Sequence, residues 1–223
     1  MNRYIAEGVG TFALVFAGCG AIVVNATYGG ALGHVGVSLV FGLIVMAMIY
    51  SVGNVSGAHL NPAVTVGFFC AGRFDSRPLI PYIASQLTGA ILAALLLRAF
   101  FPGHATLGAT LPIGGIPRAF GLEVVLSFLL MFVILNVSTG HHEKGIMAGA
   151  AIGATVALEA LLGGPVSGAS MNPARSLGPA LVSGEVGSVW IYVVAPLLGT
   201  ILASPACRLL QGPACCAAGR ERK

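Results

Sequence analysis

Charge is scarce in this chain. Seven acidic and eleven basic side chains are spread over 223 residues, so only 8% of the sequence is charged. A soluble domain is about a quarter charged, so this chain cannot clothe a water-facing surface. Tryptophan occurs once, and no basic stripe with interleaved aromatics accompanies the net charge of +4. Nucleic-acid binding is therefore excluded. The five cysteines (Cys19, Cys70, Cys207, Cys215, Cys216) have neither CxxC nor other metal spacing. Cys19 and Cys70 read as small apolar packers, while the adjacent Cys215 and Cys216 are candidates for lipidation. There is no HExxH motif, no pair of aspartates and no membrane-embedded Ser–His pair, so intramembrane hydrolysis lacks its chemistry. No metal or cofactor is expected. What abounds is hydrophobic residues, at 57%. This composition defines an integral membrane protein.

Six apolar stretches reach the ~20 residues that span a bilayer: about 4–25, 34–53, 79–98, 119–138, 146–162 and 189–210. The first is too long for a signal-peptide core and reads as an uncleaved span. Two further apolar pieces, about 61–70 and 172–182, are too short to cross. With both termini inside, Arg3, Arg73, Arg77, Lys144, Arg208, Arg220, Arg222 and Lys223 fall on the cytoplasmic side, against Arg98 and Arg118 outside. That distribution obeys the positive-inside rule. Short loops and small termini suggest a prokaryotic cell membrane.

The two short pieces begin alike. Residues 56–63 read Ser-Gly-Ala-His-Leu-Asn-Pro-Ala and residues 167–174 read Ser-Gly-Ala-Ser-Met-Asn-Pro-Ala, six of eight identical at an offset of 111. Asparagine favours the N-cap and proline the first helical position. Asn61-Pro62-Ala63 and Asn172-Pro173-Ala174 therefore each open a half-helix behind a glycine-containing loop. Non-helical backbone at membrane depth is tolerated only inside protein or beside a water-filled cavity, so both loops must fold inward. Three spans per copy is an odd number. The copies, approximately 1–110 and 111–223, are then inverted repeats whose half-helices meet N-terminus to N-terminus near the midplane.

Two facing helix N-termini place roughly half a positive charge each at that point, which repels cations and spares neutral molecules. The amides of Asn61 and Asn172 can donate to a passing oxygen. Arg175 stands one turn into the second half-helix where the first has Val64, adding a permanent cation. Glu7 and Glu123, at matching places in spans one and four, read as braces accepting loop N–H groups, or else as proton-relay carboxylates. Glu159 has Met48 as its counterpart and reads equally as pore-lining or loop-anchoring. His59 reads as a loop-packing or vestibule residue. His141 and His142 read as part of a solvated turn. Gly89, Gly121, Gly149, Gly153 and Gly199 read as sites of close helix contact.

The doubled Asn-Pro-Ala with arginine after the second copy closely resembles the aquaporins, or major intrinsic proteins. The resemblance runs from Ala6-Glu7-Gly8 through Ser56–Val66 and Gln86 to Ser170–Pro179. It implies an all-α membrane fold of six spans and two re-entrant half-helices, a homotetramer in the bilayer and one pore per subunit. The family's selectivity constriction, carried over by spacing, falls on Phe41, Ala160, Ala169 and Arg175. Strict water channels of the family place a histidine at the position of Ala160. The phrase from Gly164 to Asn172 is most similar to the plant nodulin-like branch, which passes glycerol and neutral metalloid hydroxides. Ser176 replaces the aspartate of typical glycerol facilitators, the ring lacks a second aromatic, and Asn54 replaces a common histidine. The sequence thus reads as a passive channel for water and small neutral solutes such as glycerol, metalloid hydroxides or ammonia. Its alternatives are a water-selective pore and a proton-coupled transporter.

Overall fold

A computed structural model of the chain describes residues 1–138 and 142–212. They form α1 (Asn2–Thr27), α2 (Gly33–Ser56), α3 (Pro62–Cys70), α4 (Leu79–Phe100), α5 (Ile116–Val137), α6 (His142–Ser167), α7 (Pro173–Ser183) and α8 (Val189–Gln211). Six are long and apolar enough to cross a membrane. The nine-residue α3 and eleven-residue α7 reach only about half as far, at about 1.5 Å per residue. His142 and Lys144 belong to the start of α6, not to a loop; His141, Cys215 and Cys216 lie outside the described residues.

The distribution of polarity is that of a protein solvated by lipid. Ile5, Val35, Leu92, Leu158 and Trp190 are exposed on the outside, while Glu7, Gln86, Glu123, Glu159 and Arg175 are 0–1% exposed inside. Helix α1 packs against α2 and α4, and α5 packs against α6 and α8. The half-helices cross over: α3 lies mainly on α8, and α7 on α4. Glycine makes the tightest of these contacts. A Cβ at Gly89 would sit 2.1 Å from the Gly8 carbonyl oxygen, and one at Gly199 would sit 2.4 Å from that of Val124. Gly42 and Gly153 are likewise back to back, and Gly149 lies under the Tyr50 ring. Gly121 differs from expectation: it is exposed and nothing lies within 4 Å of its added Cβ, because it points away from the bundle.

The second departure is at α6. The sequence suggests a short span ending near 162, yet the helix continues to Ser167 through Pro165. Proline lacks the N–H that would bond the Leu161 carbonyl, and an unpaired carbonyl in the bilayer is costly. His34 at the start of α2 resolves this by donating Nε2–H to Leu161 O at 2.7 Å. Its ring takes the space beside Gly164, where a Cβ would come within 2.7 Å of Cε1. We therefore expect His34→Leu to destabilise the second half by about 0.5–1.5 kcal/mol, the net worth of one hydrogen bond. His34→Gln, retaining a donor, should recover part of that loss in detergent thermal unfolding. Equal melting of both variants and the parent would count against this bond.

Candidate functional site

Each re-entrant loop is twisted in the same way. Gly57, Ala58 and Leu60 have φ of 88°, 48° and 53°; Gly168, Ala169 and Met171 have 82°, 42° and 53°. Left-handed backbone costs an L-residue about 1–2 kcal/mol, so four non-glycine residues need firm support. A buried glutamate supplies much of it. Glu7 accepts from Ser56 Oγ at 2.7 Å, His59 N at 2.9 Å, Leu60 N at 2.7 Å and Gln86 Nε2 at 2.7 Å. Glu123 accepts from Ser167 Oγ at 2.7 Å and from Ser170 N and Met171 N at 2.8 Å each. The tyrosines Tyr82 and Tyr192 donate to the carbonyls of Ser56 and Ser167. None of Gln86, Tyr82 or Tyr192 stands out in the sequence as a brace. The signal available was the near-equal placing of the tyrosines, Tyr82 following Asn61 by 21 residues and Tyr192 following Asn172 by 20.

The loops deliver Asn61 and Asn172 as N-caps. Asn61 Oδ1 accepts from Ala63 N and Val64 N, and Asn172 Oδ1 from Ala174 N and Arg175 N. Pro62 and Pro173 occupy the first helical turn, and Ala63 and Ala174 are fully buried beneath them. The amides then reach across to the opposite copy. Asn61 Nδ2 donates to Met171 O at 2.8 Å, and Asn172 Nδ2 donates to Leu60 O at 2.9 Å. This reciprocal strap uses one N–H of each amide. An amide carries two such donors, so one remains on each asparagine, and both residues line the cavity described next.

Two cavities lie end to end. One, about 130 Å³, runs from Ile49, Phe68 and Ser138 on the side of the chain termini past both asparagines. The other, about 280 Å³, opens on the far side among Asn25, His34, Ser38 and Ile113. Phe41, Ala160, Ala169 and Arg175 line both, and they are the residues the two cavities share. Arg175 is 1% exposed. Its Nη1 donates to Gly108 O at 2.8 Å, and its Cζ lies 5.1 Å from the centre of the Phe41 ring. Phe41 in turn fills a notch at Gly18, whose Cβ would fall 2.2 Å from Cε1.

Hydroxyls finish the site behind both asparagines. Thr65 Oγ1 donates to Asn61 O at 2.9 Å and accepts from Gln86 Nε2 at 3.0 Å. With that hydrogen committed, His59 Nδ1 must be the donor in its 3.2 Å contact with Thr65 Oγ1. His59 packs against Phe68, Phe74 and Tyr82 and lines the cavity. In the second copy Ser176, 111 residues after Thr65, bonds Thr110 Oγ1 at 2.7 Å and Ser170 Oγ at 2.5 Å. Asn54 is exposed in the last turn of α2. Glu159 is 1% exposed but lines neither cavity.

Six spanning helices, two half-helices strapped tip to tip and two cavities end to end, one of them running past the straps, define a transmembrane channel. The Major intrinsic protein family matches residues 1–206, and the chain belongs to that family of passive channels, the aquaporins. It is 49% identical over 212 residues to Aquaporin NIP1-1 of Zea mays, covering 95% of this chain and 75% of that protein. It is 46% identical over 202 residues to Nodulin-26 of Glycine max, covering 90% and 74%. These relatives place it with the nodulin-like branch. The fold also matches the X-ray structure of the aquaglyceroporin from Plasmodium falciparum with a TM-score of 0.83 at 26% identity, over 94% of this chain and 98% of that one.

Proposed function

We propose that this channel conducts water and small uncharged solutes of the glycerol class, and that Phe41, Ala160, Ala169 and Arg175 form its selectivity ring. The observation that carries the reading is the sharing of those four residues by the two cavities. A solute leaving one cavity for the other passes between them. Two of the four are alanines, so the ring offers an apolar wall of small side chains opposite a phenyl face, with the guanidinium as hydrogen-bond donor. That combination suits a molecule bearing both CH and OH groups. Neutral metalloid hydroxides and ammonia meet the same chemistry.

Ions are held back further in. The N-termini of α3 and α7 each contribute roughly half a positive charge, and the remaining N–H of Asn61 and of Asn172 donates to the oxygen of a passing solute. Pro62, Ala63, Pro173 and Ala174 set the first turns that aim these donors. Glu7 and Glu123 act as braces: their oxygens are engaged by loop donors, which disfavours their use as a proton relay. The unit comprises two inverted repeats, approximately 1–110 and 111–223, and works as a homotetramer with one pore per chain. Positive charge on the side of the termini supports a cytoplasmic location for both of them. A prokaryotic cell membrane rests on short loops alone, and the plant relatives do not carry it.

Stopped-flow light scattering on proteoliposomes tests the solute reading. Sucrose gradients should give fast water efflux, and glycerol gradients should give a re-swelling phase well above that of empty liposomes. Fast water movement without glycerol entry would replace this reading by a water-selective channel. A saturable flux driven by a pH gradient would replace it by proton-coupled transport.

A further inference from the structure

Helix α1 lends side chains to both cavities, and it skips one place. Leu14 lines the cavity on the side of the termini and Ile22 the one beyond it. Gly18 lies midway, and steps of four keep all three on one face of the helix. Gly18 itself lines neither cavity. In its place lies the ring of Phe41, one of the four residues that the cavities share. The fit is close along a whole edge: a Cβ on Gly18 would meet Cε1, Cδ1 and Cζ at 2.2, 2.5 and 2.6 Å.

Neither helix can yield to such a Cβ without breaking another contact. Beside Phe41, Gly42 is seated on α6, where its own Cβ would be 2.4 Å from the Gly153 carbonyl oxygen and 2.5 Å from Ala157 Cβ. Gly153 meets Gly42 in the same way, its Cβ falling 2.6 Å from the Gly42 carbonyl oxygen. Behind α1, the backbone of Gly108 lies on Cys19: a Cβ there would be 2.9 Å from both Cys19 Cβ and Cys19 O. That same Gly108 holds the Arg175 guanidinium through its carbonyl. With both backbones held, the phenyl ring has to move, by about 1.2 Å to go from 2.2 Å to the 3.4 Å where ordinary contact begins. Protein interiors are close-packed, so the space open to the ring is the passage it already lines.

We propose that Gly18 is a specificity-determining residue that acts through Phe41. By taking in the edge of the phenyl ring, it sets the width of the passage between Phe41 and the two alanines. It is a positioning residue, since it lines neither cavity itself. The inference rests on the reading of Phe41, Ala160, Ala169 and Arg175 as the selectivity ring, and it names what keeps that ring wide enough for a polyol.

Three variants in proteoliposomes test it, each read as the ratio of glycerol to water permeability. A loss of folded protein would lower both fluxes and leave that ratio unchanged. Gly18→Ala should lower the ratio about five- to tenfold, near the lower end of what a methylene-sized change is worth. Alanine is the better helix former, so α1 itself is not weakened. Phe41→Val removes the ring and should raise the ratio. Gly18→Ala combined with Phe41→Val should match Phe41→Val alone, because the added methyl no longer meets a ring. An unchanged ratio in Gly18→Ala, with Phe41→Val still raising it, would overturn the inference and leave the selectivity ring in place. No change with Phe41→Val either would remove both. A double variant with the low ratio of Gly18→Ala would also overturn the inference, since the glycine would then act elsewhere than on Phe41. If Gly18→Ala alone does not reach the membrane, the double variant decides. Reaching it with the ratio of Phe41→Val supports the proposal, and failing again or departing from that ratio overturns it.

Discussion

Ala160→His is expected to cut glycerol flux by about tenfold or more while leaving water flux largely intact. Ala160 lines both cavities beside Ala169 and across from Phe41 and Arg175, so a new imidazole there projects into the shared passage. Water is small enough to pass the narrowed ring and finds an additional hydrogen-bonding partner on it. A polyol has a carbon chain that must slide along the wall. Rejection by a pocket of changed size is typically worth about 10- to 200-fold per methylene-sized difference, and an imidazole is larger than that. Parallel sucrose and glycerol gradients on one proteoliposome preparation give both numbers. Equal loss of the two fluxes would mean that Ala160 does not border the constriction.

Arg175→Val should produce the other large effect, a leak of cations. The guanidinium is buried at the passage shared by the cavities, tied to Gly108 O and set against Phe41. A unit charge about 5 Å from a permeating cation, at an effective dielectric of about 20, opposes it by about 3 kcal/mol. Deleting the charge should therefore raise cation or proton conductance by about two orders of magnitude. Arg175→Lys retains the charge but not the planar fork, so it should stay tight while altering solute preference. A pH-sensitive dye trapped in the vesicles reads the leak. A valine variant as tight as the parent would assign the whole barrier to the helix termini at Asn61 and Asn172.

Much of this architecture is legible in the residues because the duplicated phrase carries its own structural chemistry. Asparagine and proline mark both half-helix starts, and the charge-poor spans between them leave few alternative folds. The end of α6 was not legible. Proline normally argues for a helix boundary, and the bond that lets the helix pass Pro165 comes from His34, 127 residues away from Leu161. The cross-strap of the asparagines was hidden for a similar reason. Sequence spacing shows that each amide is polar and deep, but not that one of its hydrogens is already used by the opposite loop. Gln86, Thr65 and Thr110 are ordinary helix or loop residues until the fold brings them behind the motifs. Gly121 shows the converse, since a glycine among apolar residues does not reveal which way it faces.

The strap between the copies also has a consequence in time. Asn61 Nδ2 bonds the carbonyl of a residue 110 positions later in the chain. At a synthesis rate of about 5–20 residues per second, that partner is made about 5–20 s after the asparagine itself. Throughout that interval the first loop has its glutamate brace but not its cross-link. The nascent first half then lacks both the cross-link and the α8 surface on which α3 comes to rest, and ribosome pausing between the two halves would lengthen the life of that intermediate in the membrane.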